Sequence, residues 1–387
     1  MALPRAHRLD LIKPFQVMEL LGRARALEAQ GRDIVHMEVG EPDFPTAEPV
    51  IEAGVQALRA GKTGYTTACG LPELREAIAG HYWRTSGVHI DPSRILVTPG
   101  ASGALLLALA LVANAGDGVL VPDPGYPCNR HFVQHLDARA VPLPATAAQR
   151  FQPQPTDLAA VWDDGCVAAM VASPANPTGT MLAPGQGAAL HDWLAERDAA
   201  LIVDEIYHGL VYGAAPPTVL TERDSVLVVN SFSKYFGMTG WRLGWLVVPD
   251  GMQQDAEKLA QNLYIAASTP AQHAALACFQ EPALALFEER RQAFAQRRDY
   301  LLNAVREIGF RLPAEPEGAF YLYADSSSLA EDSHALCRDL LEQAGVAITP
   351  GLDFGTLGAA GHVRFAYTNS LERLQSGVER MADWLRG

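Results

Sequence analysis

The chain is short of positive charge. Thirty Lys and Arg stand against 44 Asp and Glu, a formal net charge of −14 at pH 7. Nucleic acid and anionic membranes both need clustered positive charge, so neither is an expected partner, although a local basic pocket stays compatible with the balance. Cysteine is scarce as well. Cys69, Cys128, Cys166, Cys278 and Cys337 are scattered, odd in number and free of any C-x-x-C pair, which is neither a disulfide framework nor a zinc site. No metal site is expected. Long apolar runs are missing too: the longest, Ala101 to Ala113, falls short of the roughly 20 residues a spanning helix needs. The opening MALPRAHRLD leads into LIKPFQVMELLGRARALEAQ, with no uncharged core for a signal peptide. The expectation is a cytoplasmic protein.

What is present is ordinary globular material. Hydrophobic residues make up 49% and charged ones 19%, so a chain of 387 residues can bury a large core. Disorder is excluded for most of it, and the length implies about two to three domains. Apolar residues recur at helical spacing from Phe15 to Gln30, stopped by Gly31. Ile34 to Val39 reads as a short strand running into the turn-rich Gly40-Glu41-Pro42-Asp43. Apolar strand-like runs follow at Ile95–Thr98, Gly118–Val121, Ala140–Leu143, Val167–Ala172, Ala200–Asp204, Val226–Asn230 and Leu243–Val248. Helix-length stretches such as Ser102–Ala113 and Pro184–Arg197 separate most of them.

Strands alternating with helices predict an α/β fold, a mostly parallel sheet sandwiched by helices, with the ligand at the carboxyl ends of its strands. After Glu281-Pro282 the pattern changes to a long charged helix, Ala283–Val305, and short strand-like pieces at Ala319–Tyr323, Val346–Ile348 and His362–Tyr367. That predicts a large unit over 45–282 and a smaller α+β unit from 1–44 and 283–387. Ala145–Pro155 reads as an exposed connector, and the charged run Glu288–Asp299 as the solvated face of a helix.

Four segments just past predicted strands carry chemistry-bearing residues. Lys234, in Ser231-Phe232-Ser233-Lys234, follows a buried run and would be partly desolvated, which favours the neutral amine of Schiff-base chemistry. A solvated loop lysine is the other reading. Asp204, ending Leu201-Ile202-Val203, is costly to bury without a cation or several donors, and a helix cap is its plain alternative. Tyr207 would share its ligand if a helix starts there. Asn176, in Ser173-Pro174-Ala175-Asn176-Pro177-Thr178-Gly179, is either part of a simple turn or held toward a ligand. Thr98-Pro99-Gly100-Ala101-Ser102-Gly103 opens an apolar helix, which suits either close packing or a phosphate on free backbone N–H groups.

Taken together, these segments resemble a pyridoxal-phosphate enzyme of fold type I, specifically a class I aminotransferase of the aspartate aminotransferase-like superfamily. The resemblance runs along essentially the whole chain and includes Gly64-Tyr65-Thr66, Pro124-Gly125-Tyr126-Pro127, Asp204-Glu205-Ile206-Tyr207, Gly240-Trp241-Arg242 and Val363-Arg364-Phe365. It implies a seven-stranded large domain and pyridoxal 5'-phosphate as cofactor. Lys234 then corresponds to the lysine that carries the cofactor and, once freed by the amino acid, moves the α-proton. Asp204 corresponds to the partner of the pyridine nitrogen. Asn176 and Tyr207 match the groups on the ring's phenolate oxygen, and Tyr126 the ring against its face. Ala101, Ser102, Ser231 and Arg242 match the phosphate site. Tyr65 matches a tyrosine that reaches the phosphate from the neighbouring subunit, which implies a homodimer. Arg364 matches the fork that grips the substrate α-carboxylate, with Gly40 backbone beside it.

By the same resemblance the reaction moves an amino group between an amino acid and a 2-oxo acid, with 2-oxoglutarate expected, in a ping-pong cycle through the pyridoxamine form. Features that pair with a distal carboxylate in aspartate-preferring relatives are missing at Ser102-Gly103 and at Phe15-Gln16-Val17, which predicts a roomier, more apolar pocket. The scaffold also supports C–S cleavage by β-elimination, which shares the same Lys, Asp and Arg set. It serves, too, as the sensing half of transcription regulators, but the acidic charge and the start of the pattern by Gly40 predict no DNA-binding domain ahead of it.

Overall fold

The computed structural model describes residues 3, 5–213 and 218–387. Its strands in chain order are β1 (Val35–His36), β2 (Ile95–Thr98), β3 (Gly118–Asp123), β4 (Arg139–Pro144), β5 (Cys166–Ala172) and β6 (Ala200–Asp204). They continue with β7 (Leu227–Ser231), β8 (Gly244–Val247), β9 (Tyr321–Asp325), β10 (Val346–Ala347), β11 (Thr349–Pro350) and β12 (His362–Ala366). A seven-stranded sheet has the order β2-β8-β7-β6-β5-β3-β4. Its strands share one direction except β8, which runs antiparallel to both β2 and β7. All seven expected runs are among these strands, and the expected mostly parallel α/β sheet is the observed one.

The side-chain alternation explains why both faces are covered. Ile95, Val97, Leu120, Ala169, Val171, Leu201, Val203, Val228 and Trp245 belong to one core cluster. Their neighbours along the strands, Leu96, Val119, Val121, Ala168, Met170, Ile202, Leu227, Val229 and Leu246, belong to another. A strand apolar at every position must be packed on both sides, and helices supply that cover. The helix Gly100–Val112 is apolar nearly all round because it packs on β7 and β8 and also against the outer helix Gln253–Tyr264.

A third cluster joins Leu20, Ala24 and Leu27 of the helix Gln16–Glu28 to Phe294, Leu301, Phe320, Leu322, Phe365 and Met381. Tyr207 and Leu210, from the loop after β6, belong to it as well. Here β11-β12-β9 form an antiparallel sheet and β1 pairs in parallel with β10. Among the described residues no helix is long and apolar enough to cross a membrane.

Three local expectations need correction. Ala145–Pro155 is no exposed connector: Phe151 and Gln152 are buried, and the Gln152 amide donates to the carbonyls of Ala172 and Thr180. The run Glu288–Asp299 is not wholly solvated, because buried Arg297 makes a two-pronged pair with Asp43 at 2.7 and 3.0 Å. No helix starts at Tyr207. A turn carries it, with the His208 N–H donating to Glu205 O and that of Leu210 to Tyr207 O.

Candidate active site

The carboxyl ends of β5, β6 and β7 open into a cavity of about 280 Å³. Strand β6 delivers Asp204 into it: an apolar run of three buried residues ends in a carboxylate that is itself buried. The Ile206 N–H donates to that carboxylate at 3.0 Å. Burial, reinforced by neighbouring Glu205, pushes the Asp204 carboxyl up to about 6 against the pull of this N–H and of Lys234. A buried carboxylate in this state gains most from a cation placed against it.

Because β8 runs back against β7, the chain between them doubles over, and Lys234 lies on that reversal. Its ammonium donates to Gly40 O at 2.7 Å and sits 5.7 and 5.6 Å from the ring centres of Tyr207 and Phe320. Burial pushes the amine down to about 8, helped by Arg364 and Arg242 and opposed by Glu41 and Asp204. A lysine so placed gives up its proton far more readily than one in water.

The helix Gly100–Val112 begins at the cavity, with Ala101 and Ser102 of its first turn in the wall. Its first backbone N–H groups have no partner within the helix, which suits an anion. Arg242, in the left-handed conformation at φ 55°, brings its guanidinium beside them. A Cβ on Gly100 would lie 2.7 Å from Arg242 Nη2, and one on Gly244 would lie 2.7 Å from the Gly100 carbonyl carbon. Both glycines are therefore needed for the approach. Helix start, Arg242, Ser233 and Thr239 together form a donor set fit for a phosphate.

Strand β12 supplies Arg364 from the other core. The side chain is buried; Nη1 donates to Asn176 Oδ1 at 2.9 Å and Nη2 to Glu38 O at 2.5 Å, while Nε has no partner. Its plane lies over Tyr321 and Phe354, 4.3 and 4.6 Å from their ring centres. That leaves a fixed fork with donor capacity for a carboxylate. Tyr126 precedes the helix Pro127–His135, accepts from Cys128 Sγ at 3.2 Å and stacks on Phe15 at 6.4 Å between centres.

Ten of the residues singled out in the sequence thus share one cavity wall: Gly40, Ala101, Ser102, Tyr126, Asn176, Asp204, Tyr207, Lys234, Arg242 and Arg364. Two do not. Ser231 lies behind the wall, its hydroxyl donating to Leu243 O and paired with Ser233 Oγ, and Ser233 lines the cavity in its place. Tyr65 is 84% exposed and outside the wall of this chain. Apart from Thr239 and Tyr321 the remaining wall is apolar, with Phe15, Val17 and Met18 from the N-terminal segment and Leu105 and Ile206 among its residues. Sequence reasoning missed Ser233, Thr239 and Tyr321. Ser233 stood in a quoted motif, whereas Tyr321 lies in the apolar Ala319–Tyr323 run and carried no signal.

The family described as aminotransferase class I and II matches residues 32–381. A valine–pyruvate aminotransferase of Mycobacterium tuberculosis is 40% identical over 377 residues, 97% of each chain. An aspartate/prephenate aminotransferase of Thermus thermophilus is 35% identical over 382 residues, again 97% of each. The crystal structure of an aminotransferase from Mycobacterium tuberculosis superposes with a TM-score of 0.96 at 39% identity, covering 100% of both chains.

Proposed function

The chain belongs to the class I and II aminotransferases and works with pyridoxal 5'-phosphate on amino-acid and 2-oxo-acid substrates, and from that premise we propose how its residues divide the work. The observation that carries the proposal is the meeting of four groups in one cavity: the depressed amine of Lys234, the buried carboxylate of Asp204, the helix start with Arg242, and the Arg364 fork. They fit the cofactor's aldehyde, ring nitrogen and phosphate, and the substrate's α-carboxylate.

Lys234 would hold the cofactor by its aldehyde carbon, and its amine, when free, would take and return the substrate's α-proton. Asp204 keeps a proton on the ring nitrogen by staying anionic beside it. Bound, the cofactor supplies an electron sink for the substrate Cα, which makes the α-proton acidic. Tyr207 and Asn176 would hold the ring's phenolate oxygen, and Tyr126 would lie against the ring. Ala101, Ser102, Ser233 and Arg242 hold the phosphate, with Ser231 behind Ser233. Arg364 and the Gly40 backbone fix the α-carboxylate and so the direction of the Cα–H bond. The order is ping-pong, the first product leaving before the second substrate binds. On this reading the cofactor rests on residues 45–282, and 1–44 with 283–387 grip the substrate.

Tyr65, a large aromatic left 84% exposed, supports the reading that it serves the neighbouring subunit's phosphate in a homodimer. The five cysteines, all free, suit a reducing compartment and support a cytoplasmic location.

The wall also speaks to substrate choice. Its cations are Lys234, Arg242 and Arg364, and each already has a task. A distal carboxylate set against Phe15, Val17, Met18 and Leu105 would be left unpaired, which costs several kcal/mol. The favoured donors are amino acids with uncharged aliphatic side chains. The resemblance implies 2-oxoglutarate as acceptor, whose own distal carboxylate meets the same cost in this wall; pyruvate, which has none, is the reading the wall favours, and the name of the mycobacterial relative supports it. Amino transfer from valine, leucine, alanine, aspartate and glutamate to each acceptor tests this. The expected result is at least a tenfold kcat/KM advantage for the aliphatic donors. Aspartate in the lead would overturn the substrate reading. Ammonia and pyruvate released from a cysteine-type donor with no acceptor present, and no amino transfer, would replace transamination by β-elimination.

A further inference from the structure

Tyr321 has no role in the division of work above, yet it touches three of its parts. It is 1% exposed on β9, and its hydroxyl lies 2.8 Å from that of Tyr207. The Arg364 guanidinium lies 4.3 Å from its ring centre. A Cβ on Gly40 would come within 2.0 Å of its hydroxyl oxygen, so that hydroxyl fills the space that Gly40 leaves open.

The two tyrosines meet edge to face, ring centres 5.7 Å apart and planes at 81°. Among the described residues each hydroxyl has the other as its hydrogen-bond partner. One bond joins two hydroxyls, so one proton is used and one is free. The charged and titratable groups facing the pair are Arg364 from β12, Lys234 from the loop after β7, Asp204 from β6 and Tyr126 ahead of the helix Pro127–His135. Arg364 and a charged Lys234 offer no acceptor, and neither Asp204 nor Tyr126 bonds to the Tyr321 hydroxyl. The one acceptor left to the Tyr321 proton is the Tyr207 oxygen.

We propose that Tyr321 is a positioning residue: its hydroxyl donates to Tyr207 and thereby commits the Tyr207 proton to the cavity, while its ring seats the Arg364 fork. This rests on the reading of Tyr207 as a partner of the cofactor's phenolate oxygen. A phenol that accepts a hydrogen bond is also a stronger donor, so the Tyr321–Tyr207 pair stabilises the anionic oxygen more than Tyr207 alone. One tyrosine thus tunes the cofactor through Tyr207 and the substrate through Arg364.

The test is the pH titration of the visible absorption of the cofactor-loaded protein, read without turnover, for the wild type, Tyr321→Phe, Tyr321→Leu and Tyr207→Phe. Tyr321→Phe keeps the ring and loses the hydroxyl. Its titration midpoint should rise by about half to one pH unit, the size expected for one lost neutral hydrogen bond, while the donor KM stays within about twofold because the ring still seats Arg364. Tyr321→Leu should show the same midpoint shift and, in addition, a KM raised about threefold to tenfold. A merely structural role would lower the melting temperature of both variants and leave the midpoint in place. A midpoint unmoved in Tyr321→Phe but raised in Tyr207→Phe overturns this proposal alone. Midpoints unmoved in both overturn the reading of Tyr207 and this proposal with it.

Discussion

In the part of the cavity formed by the seven-stranded sheet the site groups stand at or just past the carboxyl ends of strands, whereas in the part formed by β9, β12 and the N-terminal segment they stand within a strand or at a helix start and are aimed by polar ties that reach across the cavity. Asp204 is the last residue of β6 and is paired with β7, and Lys234 comes three residues past the end of β7, so the ladder of backbone hydrogen bonds places the one and anchors the short turn that carries the other. Arg364 has its backbone paired in β12, but its guanidinium is aimed by the Glu38 carbonyl and Asn176, and the start of the helix Gln16–Glu28 is tied to the buried carboxylate of Asp353, which accepts from the Gln16 N–H at 2.9 Å. Just ahead of β1, Asp33 is paired with both Arg373 and Arg380. Strands can carry groups that must not move during chemistry. Long-range polar ties suit groups that select among substrates, since each can be changed without breaking a sheet.

If that contrast is right, removing a group on the sheet side should abolish chemistry, and removing one on the other side should weaken binding first. The largest effect is expected for Lys234→Ala, with turnover falling by about 10³-fold or more while circular dichroism stays native. Retained turnover would remove Lys234 from its role. Arg364→Ala should lower kcat/KM by about 10²-fold, mostly through a raised KM, and Arg364→Lys should restore little because an ammonium cannot replace the fork. A KM unchanged across amino acids would break the comparison on its second side.

Two smaller effects sharpen it through pH. The Asp204 carboxyl sits at about 6 in the folded chain against an ordinary value of 3.8. Because the folded value is raised, the linked stability is present below 3.8 and lost as pH rises through about 6. The cofactor-free protein should therefore lose about 2 kcal/mol between pH 4 and 7 through this group, and Asp204→Asn should not. Equal pH profiles for the two would contradict the buried, unpaired state. His36, between Glu38 at 2.7 Å and Glu28 at 3.1 Å, is raised from 6.5 to about 9, chiefly by its bond to Glu38. Its stabilisation is fully present below 6.5 and lost as pH rises through about 9. Allowing for solvent, His36→Gln should cost about 1–2 kcal/mol at pH 6 and nothing at pH 10. A cost independent of pH would mean packing rather than charge.

The same contrast governs what could be read from the sequence. The strands of the large sheet are short runs apolar at every position, and the site residues follow them directly, so Asp204, Asn176, Lys234 and the helix start at Gly100 stood out. Arg364 stood out through the resemblance, since nothing local distinguishes an arginine in a short strand. Tyr321 and Glu38 were invisible because Tyr207 and Arg364 meet them only through the tertiary fold. Phe151 and Gln152 misled for a related reason: a Pro-flanked segment looks exposed until the end of β5 and the Tyr323 ring that cover it are known. Tyr65, exposed in the single chain, was singled out through the resemblance alone, and its proposed role needs a second chain.

The measurement that tests the central claim most directly is the visible absorption of the purified, cofactor-loaded protein as single amino acids are added, beside the same titration of Lys234→Ala. The account predicts a band in the wild type that valine or leucine removes and a 2-oxo acid restores, and no such cycling in the variant. A wild-type band that no amino acid moves, or equal cycling in Lys234→Ala, would contradict it.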